Sequence, residues 1–354
     1  MSIADIFQNV FNTPAAATAS VPGRVNLIGE HTDYNGGAVL PAGLQCRIQV
    51  ALAPSAESII QIHSTRFDGT IARPVGDAKR DDWTDYAMGA LAKASELGWL
   101  TGGAHIAIDS DVPDGAGVSS SAALITAILR AANPGARSEQ MAVEIAKHAR
   151  AVENDYIGMP CGIMDQMAVG LADHDKALAL NTSSLKYEVV DIPDNWTFAV
   201  IHSGVRRELA DGRYKARFEE CQQAADALQT NELCLLDAAQ MSKVSQLPDN
   251  LRKRTQHVTS EHQRTLEATA AMKAQDLPTF ARLMIESHRS YAQDFEASTP
   301  VIDALVEDAV AQGAKGARLT GGGFGGCIVA LYDAADADKK IQALLDRHPN
   351  AWRV

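Results

Sequence analysis

Three glycine-bearing segments of this 354-residue chain hold residue types that could do chemistry. The first is Pro113-Asp114-Gly115-Ala116-Gly117-Val118-Ser119-Ser120-Ser121-Ala122-Ala123, between a predicted strand and a predicted helix. Gly115 and Gly117 let the backbone come close to a ligand. Three serines then open the helix, where free N–H groups and the positive dipole end point outward, which makes an anion site. The ordinary alternative is a glycine turn with a serine N-cap, for which one serine suffices. No lysine follows the second glycine, so this is not a Walker A loop, and Ser120 stands where a dinucleotide fingerprint has its third glycine. The second segment runs from Pro22 to Gly37 and sets Arg24, Glu30, His31 and Asp33 within ten residues. Hydroxyl-rich ligands such as sugars need donors and acceptors of this kind, whereas any one of these residues alone reads as part of a solvated loop. The third, Thr320 to Cys327, formally contains Gly-x-Gly-x-x-Gly at Gly321, Gly323 and Gly326, but a strand follows it instead of a helix. It has more glycine than a hairpin turn needs, so close packing against another loop or a ligand is expected.

Periodicity gives the elements around these segments. Val39–Leu40 and Arg47–Leu52 read as strands, and Ala104, Ile106 and Ile108 alternate with polar neighbours as in a half-buried strand. Ser121–Ala132 reads as a buried helix ended by Asn133-Pro134-Gly135. Met141, Ile145, Ala149, Val152 and Tyr156 recur at helical spacing. The texture changes at Asp191–Asn195, which places a boundary between residues 1–190 and 191–354. The second part carries helical patterns at 209–229, 259–274, 278–292 and 300–312, then the strand Cys327–Tyr332. Strands and helices do not alternate strictly, which favours an α+β fold over a doubly wound parallel sheet.

Composition narrows the function classes. With 46% hydrophobic and 21% charged residues the chain is a globular one of about two domains. A net charge of −12 argues against nucleic-acid binding through bulk charge, yet leaves room for small anions held by backbone N–H groups. Five scattered cysteines without a Cys-x-x-Cys pair argue against structural zinc and a disulfide framework, and for a reducing, cytoplasmic setting. MSIADIFQNVFNT lacks the basic-then-apolar pattern of a signal peptide, and the best apolar run, Ala122–Leu129, is too short to cross a bilayer. A monomer or weak homo-oligomer without a membrane partner is expected.

The motifs together resemble a known family. Gly23-Arg-Val-Asn-Leu-Ile-Gly-Glu-His-Thr-Asp-Tyr34 is similar to the galactokinase signature, and Gly115–Ala123 to the phosphate loop of the wider GHMP kinases. Cys161-Gly-Ile-Met-Asp-Gln166, Glu286-Ser-His-Arg-Ser290 and Thr320–Cys327 resemble further galactokinase blocks, in family order over nearly the whole chain. The resemblance implies a two-domain α+β GHMP kinase fold with the active site in the cleft between domains. It also implies ATP-dependent phosphorylation of the anomeric hydroxyl of α-D-galactose, with Mg²⁺, giving galactose 1-phosphate and ADP.

Residue roles come from the same resemblance. Asp165 matches the catalytic aspartate and Arg24 the arginine beside it, which would favour the charged carboxylate and stabilise the transferring phosphoryl group. Spacing alone makes Asp165 a helix-start carboxylate. Glu30, His31, Thr32 and Asp33, the backbone at Gly162, and Tyr214 match sugar-binding positions. The loop from Gly115 through Ala116, Gly117, Val118, Ser119 and Ser120 to Ser121 matches the nucleotide phosphate site, with Ser64 and Trp83 as base contacts. Ser121 and Glu153 match the magnesium ligands. One departure stands out: Asn181-Thr-Ser-Ser-Leu185 has Ser183 where many relatives carry arginine, so that arginine's partner must be satisfied differently. Competing expectations are a kinase of galacturonate, N-acetylgalactosamine or arabinose, and a non-catalytic sugar sensor. The intact Glu30–Asp33 run disfavours the former, and the unbroken serine run with Asp165 disfavours the latter. A nicotinamide dehydrogenase is disfavoured by the strand that follows Gly326.

Overall fold

The computed structural model describes residues 1–113, 115–133, 135, 138–205 and 212–354. In chain order the elements are α1 (Ile3–Phe11), β1 (Ala17–Asn26), β2 (Ala38–Val39), β3 (Pro41–Ser55), β4 (Ile59–Ser64), β5 (Thr70–Pro74), α2 (Thr84–Glu96) and β6 (Gly103–Ser110). There follow α3 (Ser120–Ala132), α4 (Glu139–Ala151), a π-helical turn (Val152–Ile157), α5 (Met164–Leu171), β7 (Lys176–Asn181), β8 (Tyr187–Asp191) and β9 (Trp196–His202). The rest is α6 (Arg213–Leu228), α7 (Ala238–Lys243), α8 (Asp249–Lys273), α9 (Leu277–Gln293), α10 (Pro300–Ala311), β10 (Gly316–Thr320), β11 (Cys327–Asp333), α11 (Ala337–Arg347) and β12 (Trp352–Arg353).

These form two compact units, and they interleave along the chain. One unit takes Met1–Arg24, Gly43–Pro113 and Ser119–His174; the other takes Val25–Ala42, Asp114–Val118 and Asp175–Val354. The chain crosses between the two units several times, the last at His174/Asp175. The texture change at Asp191–Asn195 is the β8–β9 connection inside the second unit. Segment 25–42 belongs to the second unit because it is tied to α8: Gly29 N and Ala38 N donate to Glu261 and His262.

In the first unit β3 pairs antiparallel with β6, Val50 opposite Ile108, and β4 pairs parallel with β6, Ile62 opposite Ile106. Mixed pairing of this kind matches the α+β expectation. Ala51 and Ala107 are small enough to let α1 lay Ile3 and Phe7 on the sheet. Helices α2, α3, α4 and α5 pack on one another, and α2 comes close to the π-helical turn at Gly89. A Cβ there would lie 2.7 Å from the Tyr156 ring and 2.9 Å from Val152.

In the second unit β10, β11, β9 and β12 form an antiparallel sheet in that order. Its Ile201, Ile328, Ala330 and Tyr332 share a core with Phe295, Ile302 and Leu305. The glycine-rich segment is the turn joining β10 to β11, with Thr320 opposite Cys327.

Two helices differ from the periodicity reading. The helix begun at Met141 does not continue regularly to Tyr156, because the backbone widens into a π turn at Val152 and rephases the last residues. Helix α8 starts at Asp249, ten residues before the expected start. Its first turns bury Arg254, Thr255 and His257, polar residues that hide an inward face from a hydrophobicity pattern. Residues 209–211 of the expected helix 209–229 lie outside the described residues, and α6 begins at Arg213.

Candidate active site

Strand β1 buries Arg24 two residues before its end, and α5 carries Asp165 in its first turn. The guanidinium grips the carboxylate with both prongs: Nε donates to Oδ1 at 2.9 Å and Nη2 to Oδ2 at 2.7 Å. Fork-to-fork pairing of this kind fixes orientation as well as charge. Ser119 adds a third donor, its hydroxyl 2.5 Å from Oδ2. Ser119, which matches the phosphate loop, spends its side chain on Asp165. Ser119 stands immediately before α3 with φ +62° and makes no side-chain cap to the helix. The serine N-cap that would have explained this run without a ligand is therefore not what forms. The first-turn N–H groups of α3 are left for another acceptor.

The next serines divide their work. Ser120 opens α3, and Ser121 donates to Glu153 Oε1 at 2.7 Å. Glu153 comes from the π-helical turn and is buried, and Gln166 Nε2 donates to its other oxygen. Desolvation pushes the Glu153 carboxyl up to about 7, against the hydrogen bonds from Ser121 and Gln166. Nothing in the spacing singled out Gln166 as a contact of Glu153, although it closes the Cys161–Gln166 motif. Gly162, also buried, lies three residues before Asp165 in the same unit.

Further along this unit, Trp83 and Phe67 stack with ring centroids 4.8 Å apart at 14°. Phe67 is exposed, so the pair offers a flat aromatic surface. Ser64 is buried at the end of β4, and its hydroxyl accepts from Arg66 N. Phe67 was missed because one aromatic in a polar run carries no periodic signal.

The remaining loop residues belong to the second unit. Gly115 and Gly117 adopt φ of +70° and +76°, the left-handed region that favours glycine. Between them, the Ala116 carbonyl accepts from the Cys327 thiol at 3.0 Å. Ala116 and Val118 are buried.

The 30–34 turn is the most densely bonded part of this unit. Glu30 is buried, and its Oε1 takes three donors: Arg318 Nη1 at 3.2 Å, Thr320 Oγ1 at 3.1 Å and Gly321 N at 2.9 Å. Oε2 takes no donor from the described residues. His31, at φ +62°, engages Tyr34 OH through Nδ1 and Tyr291 OH through Nε2, each at 2.8 Å. Its ring stacks on Phe295 at 4.2 Å, with Tyr214 at 5.6 Å. Thr32 spends its hydroxyl on the Gly29 and Ala38 carbonyls. Asp33 is half-buried in the same turn. The structure thus gathers Glu30, His31, Thr32, Asp33 and Tyr214. Ser183, in the place of the usual arginine, donates to Glu232 Oε2 at 2.9 Å, so a neighbouring carboxylate takes up the hydroxyl.

Behind Glu30 lies a buried ionic group that no sequence signal marked. Glu261 of α8 accepts from Gly29 N at 2.9 Å, Ser287 Oγ at 2.6 Å and Arg264 Nε at 2.8 Å. Arg318 lies 3.7 Å from it as an ion pair. Burial alone would raise the Glu261 carboxyl, but the Arg318 and Arg264 charges outweigh it and hold it at about 2. Burial also pushes His257, whose Nε2 donates to the Glu30 carbonyl, down to about 4. Both groups therefore bind protons more readily in the unfolded chain, and folding stability falls as pH falls. His257 costs stability from its ordinary 6.5 down to about 4, and Glu261 from 4.5 down to about 2. Glu153, held up at about 7, works the other way between about pH 7 and 4.5, but His257 and His288, both pushed down by burial to about 4, together outweigh it, so urea midpoints are expected to decline from about pH 6.5 to 4. A midpoint that holds or rises across the acid range would contradict this account.

Comparison with known proteins accords with this geometry. The galactokinase galactose-binding signature matches residues 5–54, the GHMP kinase N-terminal domain residues 85–172 and the GHMP kinase C-terminal domain residues 268–350. Lactococcus lactis galactokinase, solved in complex with galactose, is similar at 29% identity and a TM-score of 0.90, over 99% of this chain and 96% of that one. Two more distant structures share the fold. Methanococcus jannaschii mevalonate kinase is 17% identical with a TM-score of 0.70, over 95% of this chain and 96% of its own. Streptococcus pneumoniae phosphomevalonate kinase, in complex with phosphomevalonate and AMPPNP, is 15% identical with a TM-score of 0.67, over 95% and 99%. With a galactokinase signature at its start, both GHMP domains behind it and a galactokinase fold end to end, the chain belongs to the galactokinases of the GHMP kinase family.

Proposed function

We propose that the chain transfers the terminal phosphoryl group of ATP to the anomeric hydroxyl of galactose. The observation that carries this reading is the Arg24–Asp165 fork, completed by Ser119, in a chain whose residues 5–54 match a galactose-binding signature. Asp165 orients the sugar hydroxyl and takes its proton as the new P–O bond to the sugar forms and the P–O bond to the departing ADP breaks. To accept from the sugar, Oδ2 must share or exchange the Ser119 donor, so the carboxylate serves first by positioning and charge. Arg24 stabilises negative charge on the transferring group. Phosphate oxygens take the uncapped N–H groups of α3, and Trp83 with Phe67 gives the nucleotide base a surface to stack on.

Glu30, Asp33 and Tyr214 hold the sugar, with the Gly162 backbone as a further contact. Glu30 offers Oε2 as an acceptor for one hydroxyl, and its charge repels an anionic sugar. His31 contributes its ring as a wall and its backbone, because both ring nitrogens are engaged by tyrosines. Replacing Tyr214 with Phe keeps the wall and removes the hydroxyl, so the KM for galactose is expected to rise about tenfold with kcat little changed. An unchanged KM would make Tyr214 a packing residue only.

Ser121 and Glu153 fit a magnesium ion. They are hard oxygen donors 2.7 Å apart, and Glu153 is buried with only neutral donors on its carboxylate. No cluster of three acidic, His or Cys residues among those described could hold a metal unaided, which suits an ion bound chiefly by nucleotide phosphates. When bound, the ion would neutralise phosphate charge; Ser121 and Glu153 would hold it there, with Gln166 steadying Glu153. No helix among the described residues is long and apolar enough to cross a membrane. Five scattered thiols suit a reducing, cytoplasmic setting.

The test is ADP release with galactose, glucose, galacturonate, N-acetylgalactosamine and arabinose, with and without Mg²⁺. Turnover with galactose well above the others is expected. Preference for an anionic or amino sugar would overturn the galactose assignment, and ATP binding without ADP release would favour a sensor.

A further inference from the structure

The Thr320–Cys327 turn has no part in the chemistry above, yet one of its peptides bonds directly to Glu30 and, through Tyr291, to His31. Gly321 N donates to Glu30 Oε1 at 2.9 Å, and the Gly321 carbonyl accepts from Tyr291 OH at 2.6 Å. A phenol has one proton. With that proton on the Gly321 carbonyl, the Tyr291 oxygen meets His31 Nε2 at 2.8 Å as an acceptor, so Nε2 must carry hydrogen. In the neutral ring Nδ1 then accepts, and Tyr34 OH at 2.8 Å donates to it. The hydrogen-bond chain thus assigns the His31 tautomer.

We propose that the Gly321 peptide and Tyr291 are the positioning elements of the sugar segment, setting the Glu30 rotamer, the His31 tautomer and, through them, galactose affinity. This rests on the galactokinase reading. The packing explains why the turn is so rich in glycine. Gly323 has φ +82°, and a Cβ there would lie 2.7 Å from the Ala297 carbonyl and 3.0 Å from Tyr291 OH. Phe324 N donates to that Ala297 carbonyl at 2.7 Å, and Ala297 N donates to the Tyr291 carbonyl at 3.2 Å, so the turn is fastened to the end of α9. Phe295, four residues after Tyr291, supplies the face on which the His31 ring lies. Tyr291 touches no reacting atom in this scheme and acts through Gly321 and His31.

The test compares the full chain, labelled with ¹⁵N-histidine, with Tyr291→Phe and Tyr34→Phe. Long-range ¹H–¹⁵N correlations report the tautomer, and the His31 signals are assigned by their absence in His31→Asn. Wild type and Tyr34→Phe are expected to show hydrogen on Nε2, while Tyr291→Phe loses the single tautomer. In Tyr291→Phe the KM for galactose rises about tenfold, as for one lost hydrogen bond, while the KM for ATP stays within about twofold. A wild-type ring protonated on Nδ1, or an unchanged galactose KM in Tyr291→Phe, overturns the proposal. Should Tyr291→Phe not fold, the tautomers of wild type and Tyr34→Phe decide it. A wild type that releases no ADP with galactose counts against the galactokinase reading itself, and the tautomers still decide whether the hydrogen-bond chain exists.

Discussion

Asp165→Asn is expected to lower turnover by at least about a thousandfold while galactose binding survives. The substitution keeps shape and removes two things. The charge that draws the hydroxyl proton is lost, and so is an acceptor. Arg24 presents Nε to one oxygen and Nη2 to the other, while Ser119 adds its hydroxyl to the second. An asparagine has one acceptor oxygen and an NH2 group, so one prong of Arg24 must face another donor whichever way the amide turns. Glu30, Asp33 and Tyr214, the proposed sugar side chains, lie in the other compact unit, and Glu30 keeps its own bonds. ADP release and calorimetric galactose binding, measured side by side, check this. Activity within about tenfold of wild type would remove Asp165 from the mechanism. Ser119→Ala sharpens the point. Freeing Oδ2 of a competing donor leaves the Arg24 fork intact, so its effect should be far smaller and confined to kcat.

What the sequence disclosed followed from motif density. The 22–37 segment and the serine run were conspicuous because glycines and polar residues crowd there, and the structure builds close contacts from both. The α+β reading held because helical and strand periods do not alternate along the chain. Less legible was anything made by residues remote from one another. Ser119 looked like a phosphate donor beside Ser120 and Ser121, and only folding brings it 2.5 Å from Asp165, 46 positions away. The interleaving of the two compact units was hidden for a similar reason. Segment 25–42 answers to Glu261 and His262, contacts that local composition cannot encode. The most consequential omission was Arg318, an arginine in a short apolar strand that local spacing does not connect to Glu30.

Arg318→Met tests that omission with a large effect on stability. The guanidinium is wholly buried. It donates to the Asn26 and Leu27 carbonyls, to Ser287 and to Glu30, and it pairs with Glu261. Methionine fills much of the same volume but leaves Glu30 and Glu261 as buried carboxylates short of countercharge. Breaking a buried ion pair from one side typically costs about 3–5 kcal/mol, read here as a lower urea midpoint at pH 7. The sign of the pH response separates this cause from simple misfit. In the wild type, Glu261 is held at about 2 despite a desolvation that favours its neutral form, and Arg318 is the largest of the groups opposing that desolvation. Without Arg318, burial dominates and the carboxyl moves up, so the folded variant binds a proton more readily than the wild type. The deficit of Arg318→Met is therefore expected to shrink on going from about pH 7 to about pH 5, even as the wild type itself loses stability over that range. Adding Glu261→Gln should recover part of the loss at pH 7, because it removes the stranded charge. A deficit that stays constant with pH, together with a double variant no more stable than the single one, would mean that Arg318 fills space and does not balance the carboxylates behind Glu30.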